Sequence, residues 1–477
     1  MKLTRSLFIL LFIPCLLDAQ QSSLARFTGD SVVRHANLSF CVKEIETKQD
    51  IVNFNKEKSL SQASVMKLVT TAVALEKLGP DYRFTTRLGY TGSIRGGTLH
   101  GNIIIKGGGD PCLASPDFEV AYGDLFRSWV EAIKGAGIKK ISGNIITDDS
   151  YYDYQPVPAN WNWEDMGNYY GAGVHGLSIF DNTCELHFVT EEVGTVPILR
   201  ETKPAIPGLK FNNRLTAGGT SDEGYVFLAP YTFNGWIEGT IPPGKDDFVL
   251  KSSIPDPPLL ASGLLAGKLK EAGVAVSGIS STVRLGVNVS TDNLVILNET
   301  LSPRLAEIID VLNHKSVNLY AEHLVKELGK AFKGVGTTSA GLEVIHDHLD
   351  SLGLWNDGIF MLDGSGLSPQ DALSSESLTD LLIYMKKGSA SSETFYSSLP
   401  EAGKNGTLKS YFRDKVFESN LRAKSGSLTR VRSYAGYFKT ASGREMAFAV
   451  IINNYNGTSR YVISGIEEIL KEIIVNN

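Results

Sequence analysis

The chain has 477 residues, too many for one ordinary hydrophobic core, so two or three domains are expected. Its 42% hydrophobic and 21% charged composition is that of a soluble globular protein, and a formal charge of -6 carries no basic footprint, which argues against nucleic acid as the main partner. The 47 glycines predict many tight turns and a β-rich component.

The N-terminus reads as an export signal, residues 1–19. Lys2 and Arg5 form a positive start, Leu7 to Leu17 is apolar apart from Pro14 and Cys15, and small Ala19 precedes polar Gln20-Gln21-Ser22-Ser23. The apolar run is well short of the ~20 residues of a spanning helix. Export to the periplasm or cell envelope is therefore expected, with weak membrane association left open. Removing the signal leaves Cys41, Cys112 and Cys184, an odd number compatible with one disulfide and a spare thiol, and without metal-site spacing.

Leu38 to Val52 reads as two strands around the turn Thr47-Lys48-Gln49-Asp50. A helix follows, with Val65, Met66, Leu68, Val69, Val73, Leu75 and Leu78 at helical spacing and Gly79-Pro80 as its stop. The next long helix toward the C-terminal half begins near Ser302-Pro303, with Leu305, Ile308, Ile309 and Leu312 on its apolar face. More than two hundred residues lie between, too many for a loop, and they hold strand-like runs at 98–105, 141–147 and 184–190 and a helix around 124–134. Beyond it, 342–352 and 378–386 read as helices, 433–439 and 446–453 as neighbouring strands, and 463–474 as a closing amphipathic helix.

Three short motifs carry chemistry. Ser64-Val65-Met66-Lys67 opens the first helix, and the spacing of three puts the lysine one turn beyond the serine on the same face. A serine hydroxyl is a poor nucleophile until a base lies within hydrogen-bond reach, and a lysine becomes that base when burial lowers its pKa. Ser316-Val317-Asn318 follows the 305–312 helix; a second hydroxyl there suits proton transfer to a leaving amine, and the amide suits holding both lysine and substrate. Lys424-Ser425-Gly426 suits binding a carboxylate at a strand edge, the glycine letting backbone approach backbone. Taken singly, each motif is equally an N-cap with a solvated lysine, a chance tripeptide or a polar turn. His346-Asp347-His348 puts its rings on different sides of a helix, and His323 reads as a packed or surface residue; no metal and no cofactor are expected.

In this order the three motifs resemble the S-x-x-K, S-x-N, K-[ST]-G set of the penicillin-interacting serine enzymes. The long insertion, Gly107-Gly108-Gly109-Asp110-Pro111, Trp161-Asn162-Trp163-Glu164-Asp165-Met166 and Asp363-Gly364-Ser365-Gly366-Leu367-Ser368 narrow the resemblance. They are similar to class C low-molecular-mass penicillin-binding proteins, the D-Ala-D-Ala carboxypeptidase/endopeptidases of peptidase family S13. The resemblance implies an α/β fold: a transpeptidase/β-lactamase-like domain, an antiparallel sheet with flanking helices, interrupted by two mostly β insert domains. The expected division is 20–90 with 275–477 for the catalytic domain, 91–108 with 173–274 for one insert, and 109–172 for the other.

It also implies roles. Ser64 is the acylated nucleophile and Lys67 its base; Ser316 relays the proton; Asn318 orients Lys67 and the peptide. Lys424 and Ser425, with Gly426, hold the terminal carboxylate, and the backbone N–H groups of Ser64 and Ser427 form the oxyanion hole. Asp165 and Tyr170 match positions that contact the diamino-acid side chain of a peptidoglycan stem peptide. Pro369 stands where the family carries arginine, and Thr429 where it carries glutamine. The partners implied are stem peptides as substrate and β-lactams as covalent inhibitors; oligomeric state has no signature. The rival readings are a β-lactamase-like hydrolase and a catalytically silent wall-binding protein on the same fold.

Overall fold

The structure is a computed structural model that describes residues 23–287 and 293–477; the expected signal segment, 1–19, lies outside the described residues. Strands β1 (Asn37–Glu44) and β2 (Asp50–Phe54) form a hairpin, and helix α1 (Lys67–Leu78) follows a 3-10 turn at Ala63–Met66. The middle of the chain contributes β3 (Thr85–Tyr90), β4 (Ser93–Arg95), β5 (Thr98–His100), β6 (Ile103–Lys106), α2 (Leu125–Gly135), β7 (Lys140–Ile141) and β8 (Ile145–Asp148). Then come β9 (Thr183–Thr190), β10 (Ile198–Lys203), β11 (Lys210–Ala217), β12 (Glu223–Phe227), β13 (Asn234–Ile241), β14 (Lys245–Ser253) and α3 (Pro257–Glu271). After β15 (Ala275–Val276), β16 (Ser280–Thr282) and β17 (Val295–Leu301) the chain becomes helical: α4 (Leu305–Lys315), α5 (Asn318–Lys333), α6 (Thr338–Ser351) and α7 (Ser375–Lys387). Strands β18 (Arg422–Leu428), β19 (Val431–Lys439) and β20 (Glu445–Asn453) and helix α8 (Ser459–Asn476) close it.

Both chain ends build one antiparallel sheet, ordered β18-β19-β20-β1-β2. Strand β20 is buried on both faces, so it reads as an unbroken apolar run, and its alternation separates two cores. Met446, Phe448, Val450 and Ile452 pack with Val462, Ile466 and Leu470 of α8. Ala447, Ala449 and Ile451 point the other way, into the core shared with α1 and α7. Each large side chain so buried is worth roughly 1.5–3 kcal/mol. Small alanines on the second face let α7 lie close to the sheet, while α1, itself buried on nearly every side, packs among α4, α5 and α6.

The remaining sheets join strands from distant parts of the chain. Strands β7 and β8, from 109–172, do not form a sheet of their own; they pair in parallel with β5 and β6 on one side and with β15 and β16 on the other. The resulting five-stranded sheet, β16-β8-β6-β3-β17, also takes in β3 and β17, which the expected boundaries assigned to the catalytic part. The self-contained sheets are β10-β9-β14 and β11-β13-β12, inside 183–253. Parallel pairing between distant segments leaves no local trace in sequence. Helix α3 was not among the expected elements; Pro257 and Pro258 occupy its first turn, capped by Asp256. Cys41, Cys112 and Cys184 are buried and unpaired, so none of them forms the disulfide that their number allowed.

Candidate active site

Ser64 sits in the 3-10 turn before α1, between the sheet edge at β18 and the α4–α5 corner. It does not cap the helix; the N-cap is Met66, with no side-chain cap. The preceding Ala63 takes φ 50°, a left-handed backbone that a non-glycine residue adopts only when its surroundings impose it. Those surroundings are tight. A Cβ at Gly426 of β18 would lie 2.4 Å from the Gln62 carbonyl and 3.1 Å from the Ser64 nitrogen, and a Cβ at Gly366 would lie 1.9 Å from the Ala63 carbonyl. Both glycines are therefore required for the strand and the loop to press against the serine turn.

Lys67, the first residue of α1, is fully buried. Its ammonium donates to Ser64 Oγ at 3.0 Å, Asn318 Oδ1 at 2.6 Å and the Ser365 carbonyl at 2.7 Å, so each of its three protons has a neutral acceptor. Burial lowers its pKa to about 7, against the opposing pull of Asp363, Glu322 and Asp371. An amine poised there is half neutral at ordinary pH, which suits a general base.

Ser316 ends α4 in the left-handed conformation, φ 61° and ψ 42°, and Val317 begins α5 extended. This corner turns Ser316 Oγ toward β18, where it accepts from Lys424 Nζ at 2.8 Å, and places Asn318 in the first turn of α5. Asn318 also donates to the Tyr170 carbonyl at 2.8 Å, which ties the inserted segment to the site. Lys424 is fully buried and donates to the Ser425 carbonyl at 2.8 Å as well. Burial, helped by the charge of Lys67, holds its pKa well below the usual lysine range. Ser425 Oγ donates to Thr407 Oγ1 at 2.7 Å, and Ser427 is exposed one residue beyond Gly426. The three motifs thus meet in one place.

Asp165 and Tyr170 lie together at the margin of the site. Asp165 is only 8% exposed, burial raises its carboxyl, and the Tyr170 hydroxyl beside it counteracts that. The other candidates lie elsewhere. His323 is fully buried on α5, with Nδ1 at 3.0 Å from the Gly109 carbonyl and Nε2 at 2.9 Å from Ser178 Oγ. His346 pairs with its neighbour Asp347 on α6. Among the described residues, no group of three His, Cys, Asp or Glu side chains has the geometry to hold a metal.

Sequence reasoning assigned no role to the loop 363–368, although it singled the string out. Its Ser365 carbonyl is one of the three acceptors of Lys67, and Trp161 reaches it through an Nε1–Asp363 Oδ2 hydrogen bond of 2.8 Å. A main-chain acceptor has no residue signature; only the closeness of the Asp-Gly-Ser-Gly turn could have hinted at it.

The profile of the D-Ala-D-Ala carboxypeptidase 3 (S13) family matches residues 20–473. The chain is 28% identical to a D-alanyl-D-alanine carboxypeptidase of Actinomadura sp. (strain R39), covering 93% of this chain and 84% of the relative. It is 24% identical to a D-alanyl-D-alanine carboxypeptidase of Haemophilus influenzae, covering 88% and 86%. Its fold is that of penicillin binding protein 4 from Haemophilus influenzae, with a TM-score of 0.78 at 21% identity over 96% of this chain and 98% of the other. A predatory peptidoglycan endopeptidase from Bdellovibrio bacteriovorus shares the fold more loosely, with a TM-score of 0.51 at 18% identity and 92% coverage of both chains. With the profile spanning nearly its whole length, the chain belongs to the D-Ala-D-Ala carboxypeptidase 3 (S13) family.

Proposed function

We propose that this protein is a serine D-Ala-D-Ala carboxypeptidase, with endopeptidase action on longer leaving groups, that works through an acyl-enzyme on Ser64. The observation that carries the reading is the 3.0 Å contact of Ser64 Oγ with a buried lysine amine surrounded by neutral acceptors. When Lys67 is neutral, two N–H groups remain for Asn318 and Ser365, and its lone pair faces the serine hydroxyl. Lys67 takes that proton as Oγ attacks the carbonyl of the penultimate D-Ala. The backbone N–H groups of Ser64 and Ser427 receive the oxyanion. The proton passes by way of Ser316 to the leaving amine, the C–N bond breaks, and free D-Ala departs. Water then hydrolyses the ester by the same groups in reverse. Lys424 and Ser425 hold the terminal carboxylate of the peptide, a charge-assisted contact that also offsets the burial of Lys424.

The strained amide of a penicillin meets the same nucleophile, so β-lactams are covalent inhibitors in this reading. Asp165 and Tyr170 take the free amine of the stem peptide's diamino acid. The chain is exported through its N-terminal segment and acts in the periplasm or cell envelope; Edman sequencing of the mature protein beginning near Gln20 is the expected result. Two inserts, 91–108 with 173–274 and 109–172, interrupt the catalytic domain of 20–90 with 275–477 in this reading.

Release of D-Ala from a D-Ala-D-Ala peptide, together with labelling by a fluorescent penicillin and its deacylation time course, tests this. Peptide turnover with a long-lived penicillin adduct is the expected outcome. A rapidly cleared adduct without peptide turnover indicates the β-lactamase, and no adduct indicates the silent wall-binding protein.

A further inference from the structure

Three carboxyl groups lie buried beneath Lys67 that the acylation chemistry does not use: Glu322, Asp363 and Asp371, each no more than 1% exposed. Their arrangement is specific. One oxygen of Asp363 accepts from the N–H groups of Ser365 at 2.9 Å and Gly366 at 2.6 Å; the other accepts from Ser368 at 2.8 Å and from Trp161 Nε1 at 2.8 Å. The loop is thus wound around one carboxylate. The Gly364 N–H points the other way and is held by both oxygens of Glu322, at 3.0 and 3.1 Å. Glu322 is one helical turn past Asn318 on α5, so the same helix face delivers Asn318 Oδ1 directly to Lys67 and clamps the loop whose Ser365 carbonyl meets it. Asp371 accepts the Leu362 N–H at 2.6 Å through Oδ1, while its buried Oδ2 finds no N–H or O–H donor among the described residues. Asp363 lies near enough to Asp371 for its charge to disfavour ionisation of that second buried carboxyl.

We propose that Asp363 and Glu322 are positioning residues for Lys67, fixing the Ser365 carbonyl against its amine and setting how readily that amine gives up a proton. The inference rests on the reading of Ser64 and Lys67 given above. The charges facing Lys67 come from every side: Glu322 from α5, Asp363 and Asp371 from the loop, and Lys424 from β18. Burial is the largest influence and favours the neutral amine, and the three carboxyl groups oppose it. Burial and the Asp363 charge push Asp371 up to about 10, so it keeps its proton and contributes little charge at neutral pH. Burial and the Asp363 charge likewise raise Glu322, to about 8. A carboxylate removed from this cluster therefore leaves Lys67 easier to deprotonate but less well held.

The test is the pH dependence of penicillin acylation, as the second-order rate constant, for Asp363→Asn and for the isosteric Glu322→Gln, beside their melting temperatures. Acylation at the optimum should fall about 10–100-fold, less than the ~10²–10⁴-fold of losing the base itself. The acid limb, which marks loss of the Lys67 proton, should move to lower pH by roughly half a unit or more. The sign follows from the cluster: the Asp363 carboxylate is the larger charge holding Lys67 protonated, and Glu322, raised to about 8, contributes a smaller share and a smaller shift. A purely structural loop would lower the rate and the melting temperature and leave the acid limb in place, which would overturn the proposal. If Asp363→Asn does not fold, Glu322→Gln decides, since it keeps the side chain's size and one acceptor for the Gly364 N–H while removing the charge. A wild-type chain that never acylates overturns the catalytic reading and this one with it; a wild-type chain that acylates, with variants whose limb is unmoved, overturns this one alone.

Discussion

Two buried lysines on neighbouring helices meet partners of different charge. Lys67 in the cleft meets a hydroxyl, an amide oxygen and a main-chain carbonyl, and burial takes it to about 7. Lys326, two turns further along α5 than Asn318 and facing the inserted segment, meets the Asp153 carboxylate and the Gln155 carbonyl. Burial lowers Lys326 as well, but the Asp153 charge restrains the shift. Lys43, on β1, goes further: burial pulls it down, yet Asp380 and Glu376 carry it above its ordinary value. Burial lowers a lysine furthest where its direct partners are neutral, as at Lys67; an ionic partner restrains the fall at Lys326 and reverses it at the less buried Lys43. Partner chemistry, rather than burial alone, separates the catalytic region from the scaffold.

One substitution made at both places breaks or sharpens that contrast. Lys67→Met should lower penicillin acylation by about 10²–10⁴-fold, the usual worth of a general base, read from the labelling rate at the pH optimum. Lys326→Met should do the reverse. It leaves Asp153 without its partner; because that carboxylate is 31% exposed, the cost is roughly 1–3 kcal/mol rather than the ~3–5 of a fully buried broken pair. Denaturant unfolding should report that loss, while the folded variant should acylate with the wild-type pH profile. If Lys326→Met shifted the acid limb, the two lysines would not be independent and the contrast would fail.

A smaller effect is expected at the margin. Asp165→Ala should reduce kcat/KM for stem peptides that carry a free side-chain amine and leave penicillin acylation and small D-Ala-D-Ala substrates nearly unchanged. Equal losses on both substrates, or a lowered melting temperature alone, would make Asp165 a structural residue, as its 8% exposure and its contact with Tyr170 equally allow.

Much of the site was legible because its chemistry is local. Ser64 and Lys67 are three residues apart, and a single-turn spacing is visible in one dimension. The helices α1, α4, α6, α7 and α8 were legible for the same reason: their apolar residues recur at helical spacing. What escaped was made by long-range contact. The Ser365 carbonyl reaches Lys67 across 298 positions, and nothing in Ser365 as a residue type marks its main chain as an acceptor. The parallel pairing of β7 and β8 with strands far away on both sides escaped for the same reason. Ser64 was read as the opening of a helix, but the α-helix begins at Lys67, since the left-handed Ala63 and the close approach of Gly366 and Gly426 hold the serine in a tighter 3-10 turn.

The central claim is that Ser64 is the group acylated and that the neutral form of Lys67 activates it. Intact-mass measurement after penicillin treatment across a pH series, followed by peptide mapping, tests both parts together. The account predicts one adduct, on the peptide containing Ser64 and absent in Ser64→Ala, formed faster as pH rises through about 7, where Lys67 loses its proton. An adduct on another residue, undiminished labelling of Ser64→Ala, or a rate flat through that range would contradict it.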